Sequence, residues 1–287
     1  MKHHLADFLD RAGDYWTMVP NRERFAYAAD KEITDKEAVK ILTINKHHER
    51  WEQLFDCVNI EELTLHDPSR DQVERIRTLT GLERLRISFF RTDNIDFITS
   101  FYNLEELIFE YVSGFSDLSP LRELKKLKSV HFENLCRVKS FDGLKDSQSL
   151  KYLHITGTLD WNQPIEDFKF LEHLTSLEVF SLGFIINKSE YPAFLPILKL
   201  KNLKKINIGR STFHTKEYAF LETALPETEG AKWDLYWQYN KTLEFLGKKA
   251  GRASIDNPLA KEKCDEFAKE YNRMKSEAEA MIKSLML

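Results

Sequence analysis

His131 and His154 are the residues whose chemistry stands out first, because an imidazole serves as a general acid or base and as a metal ligand. They lie 23 positions apart (154 − 131), too far for the paired histidines of a single metal-binding helix. Two imidazoles begin a metal site only when a third ligand joins them. Whether these side chains meet depends on the elements that carry them.

No enzyme motif accompanies these histidines. The glycine- and lysine-rich run at 246–254 lacks the order of a phosphate-binding loop, which ends in Gly-Lys-Ser/Thr. Neither the Gly-x-Ser-x-Gly elbow of hydrolases nor the His-Glu-x-x-His helix of metalloproteases occurs. The sequence therefore predicts a non-enzymatic protein without a cofactor.

An apolar pattern that recurs along the chain predicts the elements. Leu104, Leu107 and Phe109 show its form, with apolar residues at positions one, four and six. The middle apolar residues of successive copies are Leu42, Leu63, Leu85, Leu107, Val130, Leu153, Phe180 and Ile206, in steps of 21, 22, 22, 23, 23, 27 and 26 residues. Repeats of this length indicate a solenoid in which each strand joins one parallel sheet and a helical turn leads to the next strand.

Alternate side chains of a strand face opposite sides, so the residue between the last two apolar positions faces away from the core. These outward residues are Thr43, Thr64, Arg86, Ile108, His131, His154, Ser181, Asn207 and Asp234. We expect His131 and His154 on adjacent strands, about 4.8 Å apart along the sheet. Glu133 is the only carboxylate expected nearby. Exposed polar surface is the favoured interpretation, and a divalent-ion site is the alternative.

The charge of the outward-facing strand residues changes along the chain. Arg84 and Arg86 lie beside Glu106 and Glu110, so exposed cross-strand ion pairs are expected there. Such pairs contribute on the order of 0–1 kcal/mol. From Tyr152 onward the outward-facing face of the strands becomes uncharged.

The segments at both ends are expected to cover the solenoid, which otherwise exposes an apolar face and an unpaired strand edge. Residues 1–37 are predicted as a helical N-terminal cap, with helical spacing of Leu5, Phe8, Leu9, Ala12 and Trp16. About eight repeats occupy residues 38–230. Residues 231–287 are predicted as a C-terminal cap, with a final strand through Trp233, Leu235 and Trp237 and then a long helix. This helix either folds back over the solenoid, which we favour, or forms a pairing surface.

Residues 38–215 resemble bacterial leucine-rich-repeat proteins, and Asp117–Leu127 is similar to internalin-like and SDS22-like repeats. The resemblance implies an α/β fold, a curved solenoid with helical turns on its convex side. It also implies that the concave parallel sheet binds other macromolecules, usually proteins. Family repeats place Asn or Cys inside the turn after each strand, and this sequence does not. An apolar spine that includes Phe90, Val112, Leu135 and Ile185 is expected instead.

The two longest repeats and the loop after the next strand add residues at 158–164, 184–192 and 211–216. Insertions in stacked repeats fall at equivalent edges, so these loops are expected to line one rim. Aromatic residues dominate binding hot spots. The predicted partner-binding residues are Tyr152, His131 and His154 of the sheet and Trp161, Phe184, Tyr191, Phe213 and His214 of the rim. The alternative is that the rim aromatics pack onto neighbouring loops.

Composition narrows the class of protein. A net charge of −4 provides no overall positive field to attract nucleic acid. Three widely spaced cysteines form neither a disulfide framework nor a zinc pattern and suit a reducing compartment. No apolar run of about 18 residues predicts a membrane span, and residues 1–10 lack the apolar core of a signal peptide.

The leading hypothesis is a cytoplasmic module that binds a protein or peptide, and neither nucleic acid nor membrane. The second hypothesis is a small-ligand or metal binder, or an enzyme, that uses Tyr152, His131 and His154. A deep enclosed pocket there would favour this second hypothesis, since ligand sites are concave and enclosed.

Overall fold

The computed structural model describes residues 10–12, 15–17 and 27–286. Its strands are β1 (Asp10–Ala12), β2 (Tyr15–Thr17), β3 (Tyr27–Ala28), β4 (Ile41–Asn45), β5 (Glu62–His66), β6 (Arg84–Ser88), β7 (Glu106–Glu110), β8 (Ser129–Glu133), β9 (Tyr152–Thr156), β10 (Gln163–Ile165), β11 (Val179–Gly183), β12 (Ile185–Asn187), β13 (Lys205–Ile208), β14 (Tyr236–Tyr239), β15 (Thr242–Phe245) and β16 (Arg252–Ser254). The order β3-β4-β5-β6-β7-β8-β9-β11-β13 forms one parallel main sheet.

The register of the main sheet confirms the predicted strands. Leu63 pairs with Leu85, and Leu107 with Val130, so each middle apolar residue lies opposite the same position of the next repeat. The inward row is wholly buried at Leu63, Leu107 and Val130. Removal of each such side chain from water stabilises the fold by roughly 1.5–3 kcal/mol. The core is therefore a continuous stack between the sheet and the return segments.

Most return segments between main-sheet strands contain a short helix, and two longer helices follow the last main-sheet strand. The α-helices are α1 (Arg70–Arg75), α2 (Thr215–Ala224) and α3 (Ala260–Met286), and the 3₁₀ helices are Trp51–Asp56, Ile76–Thr78, Asp96–Ser100, Ser119–Glu123, Asp142–Leu144, Lys169–His173 and Leu195–Lys199. A capping box starts α1, because Ser69 Oγ accepts from Gln72 N and Gln72 Oε1 accepts from Ser69 N. Gln72 Nε2 also donates to the Asn45 carbonyl, 3.0 Å away, which ties α1 to the preceding repeat.

An apolar spine follows the strands, as predicted. Its members are buried to 6% exposure or less at Phe90, Val112, Leu135 and Ile185. The buried side chain of Gln163, in β10, bonds to the turn that carries Leu135. Gln163 Oε1 accepts from Leu135 N at 3.0 Å, and Nε2 donates to the Val138 carbonyl at 2.7 Å. Backbone groups of one turn are thus satisfied by a residue from the next repeat.

The prediction of a final main-sheet strand through Trp233 is wrong. The place beside β13 is taken by Glu229, whose backbone bonds to Ile206 N and Lys204 O at 2.8 and 2.9 Å. Trp233 instead donates its indole N–H to the Ile208 carbonyl at 3.2 Å. Residues 236–239 form β14, which pairs antiparallel with β15 and so belongs to the separate sheet β14-β15-β16. Asn240, with φ of 50°, allows the two-residue turn that diverts this strand from the main sheet.

The terminal helix folds back, as predicted. Tyr271 donates its hydroxyl to Glu222 Oε2 at 2.7 Å, and Lys275 Nζ reaches Glu222 Oε1 at the same distance. Phe267 stacks on Phe245 with ring centroids 4.8 Å apart. Helix α3 therefore covers α2 and the small antiparallel sheet at the C-terminal end.

The prediction of a helical N-terminal cap is wrong for the residues of this segment that the structure describes. Ala12 and Trp16 lie in β1 and β2, which pair antiparallel in the register Ala12↔Tyr15. A two-residue connection that begins with glycine is a hairpin signal, and the sequence between these strands is Gly-Asp. The predicted helical positions Leu5, Phe8 and Leu9 lie outside the described residues. Within the described part of the chain, no helix has the length and apolarity to cross a membrane.

Candidate functional site

The outward side of the main sheet, here called the sheet face, carries the predicted rows. Thr64 pairs with Arg86, Arg86 with Ile108, and His131 with His154. The adjacency of the two histidines is therefore confirmed. The row ends at Asn207 in the main sheet, because Asp234 is not part of a main-sheet strand.

A buried ion pair lies near the centre of the sheet face. Arg86 Nε and Nη2 donate to Glu110 Oε2 over 2.9 and 2.8 Å. The pairing is as predicted, but its expected exposure is wrong, since the two side chains are 7% and 9% exposed. Side chains on neighbouring strands lie only about 4.8 Å apart and cover one another. Burial raises the pKa of Glu110, and the Arg86 guanidinium opposes that rise.

The two histidines stack beside this ion pair. Their ring centroids are 4.5 Å apart and the planes 17° from parallel. Burial, together with the neighbouring His131, lowers the pKa of His154 well below its usual range. His131 is 9% exposed, and neither of its ring nitrogens has a hydrogen-bond partner. Its Nε2 lies 3.7 Å from Glu133 Oε2.

The expectation that Glu133 is the only carboxylate near the histidines is wrong. Glu110, His131 and Glu133 each offer one ligand atom, and these atoms lie within 4.8 Å of one another. Glu110 pairs with Glu133 in the sheet register, so it lies diagonal to His131. Long side chains reach diagonal neighbours on one face, and the simple row of directly opposed residues overlooks them.

Tyr152 lies on the same face and is 7% exposed. Its register neighbours are Ser129 and Val179. Burial raises the pKa of its hydroxyl, which stays protonated at neutral pH. The residue offers little area to a partner and mainly fills the sheet face between its neighbours.

The turns after five main-sheet strands share a left-handed residue. These residues and their φ angles are Asp67 (49°), Phe89 (57°), Tyr111 (54°), Asn134 (56°) and Phe184 (45°). Backbone N–H groups of Phe89 and Tyr111 donate to the Glu110 and Glu133 carbonyls at 3.0 and 2.9 Å, so the turn extends the ladder. Asp and Asn adopt this conformation readily, whereas bulky residues do so rarely.

Three of these left-handed residues form what we call the aromatic edge: Phe89, Tyr111 and Phe184. Phe89 stacks on Tyr111 with ring centroids 4.9 Å apart, and the His66 ring meets Phe89 edge-on at 5.3 Å. Phe89 is 42% exposed and Phe184 is 47% exposed. Sequence reasoning found Phe184 but missed the other two. Alignment of the repeats on Asp67 and Asn134 is the signal that finds them.

The predicted rim is formed in part. Strand β10 pairs with β12, which places the loops 158–164 and 184–192 side by side. Trp161 is half-buried, and its carbonyl accepts from Thr158 N at 2.7 Å. His214 is exposed at the start of α2.

Two rim residues do not present the expected aromatic surface. Phe213 is 2% exposed, so its predicted exposure is wrong; its ring packs 4.8 Å from that of Phe194, inside the core. Tyr191 is half-buried and meets Phe220 edge-on at 6.3 Å, with Lys216 Nζ 4.3 Å from its ring centroid. Both residues follow the alternative prediction that the rim aromatics pack onto neighbouring parts of the chain, because α2 closes over their loops.

A buried carboxyl also lies under this rim and was not identified from the sequence. Glu217 of α2 is 4% exposed; its Oε1 accepts from Ala193 N at 3.1 Å, and Oε2 has no hydrogen-bond partner. Burial raises the pKa of Glu217 to about 7. The carboxyl therefore titrates near neutral pH.

A surface cavity of about 480 Å³ lies elsewhere, beside α1. Its lining includes Arg70, Arg77, Phe90 and Asp96. Tyr152, His131 and His154 do not line it. This cavity therefore lends no support to a small-ligand site at the histidines.

Repeats of 21 to 27 residues, each with one parallel strand and one short return segment, define a leucine-rich-repeat solenoid. No protein-family model matches the chain, and no curated protein matches it. Solved structures similar to it include an internalin (inlF) from Listeria monocytogenes, with 20% identity and a TM-score of 0.45, covering 59% of this chain and 48% of that one.

Two further similar structures have comparable scores. Internalin C2 from the same organism is 21% identical with a TM-score of 0.44, covering 61% of this chain and 76% of that one. Drosophila Toll, in its complex with Spatzle, is 15% identical with a TM-score of 0.38, covering 66% of this chain and 31% of that one. The chain thus spans about half the first internalin structure and about a third of the Toll structure. Such likeness concerns the fold alone, and the fold assignment rests on the repeat and strand register.

Proposed function

We propose that this chain is a non-enzymatic binding module that takes a protein or peptide partner along the aromatic edge and the adjoining sheet face. The observation that carries the proposal is the exposure of Phe89 and Phe184 at left-handed turn positions. The fold needs this backbone conformation at these turns, but it does not need an aromatic side chain there. Asp67 and Asn134 fill equivalent positions at lower conformational cost.

The strain favours a role beyond folding. A bulky side chain in the left-handed region costs roughly 1–2 kcal/mol, and such residues cluster at functional sites. Exposed aromatic rings are the side chains that most often dominate binding energy. Phe89 and Tyr111 are also held as one stacked unit, so little side-chain entropy is lost when a partner binds.

The other predicted binding residues have smaller roles in this proposal. Trp161 and His214, both at least partly exposed, extend the contact surface on the rim side. Most of His154 is buried, but part of it stays accessible, and it is the sheet-face residue proposed for direct contact. Tyr152 and His131 are buried and support their neighbours. The partner is expected to offer an apolar or aromatic side chain to the stacked pair.

The test is affinity capture by the immobilised full chain from an extract of the source cells, with captured proteins identified by mass spectrometry. Phe89→Asn and Phe184→Asn keep a left-handed-compatible residue and remove the ring. Tyr102→Asn is the matched control, because Tyr102 is an aromatic residue 57% exposed, in the loop before β7. We expect the two edge variants to weaken capture of the same partner at least tenfold and the control to retain it. Equal capture by all variants would contradict the proposed surface.

A further inference from the structure

We propose that Glu110, His131 and Glu133 bind a divalent transition-metal ion, for which zinc is the probe. The site goes beyond the proposed protein-binding function and does not depend on it. The three residues lie on the adjacent strands β7 and β8, and their ligand atoms lie within 4.8 Å of one another.

The first argument is the unmet hydrogen-bonding capacity of His131. The residue is 91% buried (100 − 9), and neither ring nitrogen has a hydrogen-bond partner. A buried polar group without a partner costs about 1–3 kcal/mol, and native structures satisfy nearly all such groups. A metal ion coordinated by Nε2, which already faces Glu133 at 3.7 Å, gives that nitrogen a partner and removes its share of the cost.

The second argument is charge. Glu110 and Glu133 lie directly opposite each other in the register, where like charges destabilise a sheet. Arg86 contacts Glu110 at 2.8 Å, whereas Glu133 pairs with no lysine or arginine among the described residues. A bound dication balances the second carboxylate and attracts both.

The third argument is the support around the ligands. Arg86 fixes Glu110 from one side. The backbone N–H of Tyr111 donates to the Glu133 carbonyl at 2.9 Å, which ties the turn after Glu110 to the end of β8. His154 stacks on His131 and fixes its ring plane. Outer contacts of this kind orient metal ligands in proteins.

The donor set points to the class of ion. One imidazole nitrogen and two carboxylate oxygens suit zinc and related transition metals, with a fourth position left open. Ligands about 2.0–2.2 Å from zinc lie roughly 3–3.5 Å from each other, so side-chain shifts of about 1 Å close the site. Glu110, not His154, is the third ligand in this arrangement.

Isothermal titration of the full chain with zinc chloride tests the site. We expect one strong site that Glu133→Gln weakens at least tenfold, since even loss of an outer contact typically costs 10- to 100-fold. Glu133 is partly exposed, so this variant is expected to fold. His131→Ala is expected to have the same effect. His154→Phe retains the stacked ring and is expected to bind zinc as tightly as the wild type.

Three outcomes overturn the proposal. One is the absence of a strong zinc site in the wild-type chain. Another is zinc binding that survives both Glu133→Gln and His131→Ala, which would locate the ion at other histidines. The third is an equal loss in His154→Phe, which would make the stacked histidine pair the ligand set. Cobalt substitution provides a second readout, because the visible spectrum of the bound ion reports the loss of a nitrogen ligand.

Discussion

His131 stacks on His154 with ring centroids 4.5 Å apart. Burial and the neighbouring His131 keep the pKa of His154 well below 6.5, its ordinary value. His154 is therefore neutral in the folded protein at pH 7, while the unfolded chain takes up a proton as the pH falls through 6.5. The unfolded state then binds more protons, so this residue lowers the free energy of unfolding in acid.

His154→Phe is expected to remove this acid sensitivity, because phenylalanine keeps the stacked ring without a titratable nitrogen. Between pH 7.5 and pH 5, the wild type is expected to lose stability relative to the variant, by at most about 1.4 kcal/mol per pH unit below 6.5. Urea unfolding of both proteins at the two pH values measures the difference. Parallel pH profiles would show that His154 is not the responsible group.

Glu217 has the opposite effect on the pH dependence of stability, because it makes the folded protein less stable as the pH rises. Its pKa is raised from 4.5 to about 7 by burial, so the folded state holds the proton between these values. The stabilisation is complete below pH 4.5 and is lost as the pH rises through 7. Glu217→Gln is expected to be more stable than the wild type at pH 8 by roughly 1–3 kcal/mol.

The same substitution is expected to have little effect at pH 4.5, where both side chains are neutral. Glutamine also preserves the acceptor for the Ala193 N–H, which lies 3.1 Å from the carboxyl in the wild type. Thermal unfolding at pH 4.5 and pH 8 separates the two contributions. A constant difference at both pH values would mean that packing, and not ionisation, is responsible.

The adjacent residues Phe89 and Phe90 should respond differently to asparagine. Phe89 is 42% exposed at φ of 57°, so Phe89→Asn relieves strain and loses the stacked contact with Tyr111 and the edge-on contact with His66. A change within about 1 kcal/mol is expected, since an aromatic pair contributes about 0.5–1.5 kcal/mol. Phe90 is 6% exposed in the spine, and Phe90→Asn is expected to cost at least about 3 kcal/mol.

Chemical denaturation of the two variants against the wild type measures this contrast. A large loss in Phe89→Asn would show that the stacked ring is a structural element of the turn. The aromatic edge would then need no partner to account for it.

The buried pair of Arg86 and Glu110 makes a further prediction. Arg86→Met leaves a buried carboxylate without its guanidinium partner, which is expected to cost about 3–5 kcal/mol at pH 8. At pH 5 the loss is expected to be smaller, because burial raises the pKa of Glu110, and removal of the guanidinium that opposes this rise further favours the protonated carboxyl.

The double variant Arg86→Met/Glu110→Gln is expected to recover part of the stability lost at pH 8. Glutamine removes the uncompensated charge while keeping the size of the side chain. Urea unfolding of the wild type, both single variants and the double variant completes the cycle. Equal losses for Arg86→Met and for the double variant would place the cost in packing.

Much of the fold was predictable from the repeat because its spacing is local. The position of Leu107 in the repeat places Ile108 on the sheet face, and the same count makes His131 the neighbour of His154. The C-terminal end was less predictable. Trp233, Leu235 and Trp237 alternate like a strand, yet a hairpin at Asn240 and the backbone of Glu229 decide which edge is paired.

The candidate sites were predictable only in part. The sequence identifies Phe184 and the histidines, but it does not distinguish exposed Phe184 from buried Phe213. That difference arises from α2, which closes over Phe213 and leaves the turn at Phe184 uncovered. The diagonal approach of Glu110 to His131 likewise depends on how long side chains lie across two strands.

The sequence by itself determined the solenoid, its strand register and the residues that face outward from the sheet. The alternation of apolar residues within a strand decides which side chains face the core, and the repeat length of about 22 residues decides which strands are neighbours. Both are read along the chain without knowledge of tertiary contacts. Only the tertiary structure decided burial and partnership. It placed Arg86 and Glu110 out of water, left His131 without a hydrogen bond, and put Phe89 in a left-handed turn. The physical reason is that desolvation and side-chain contact depend on all neighbouring repeats together.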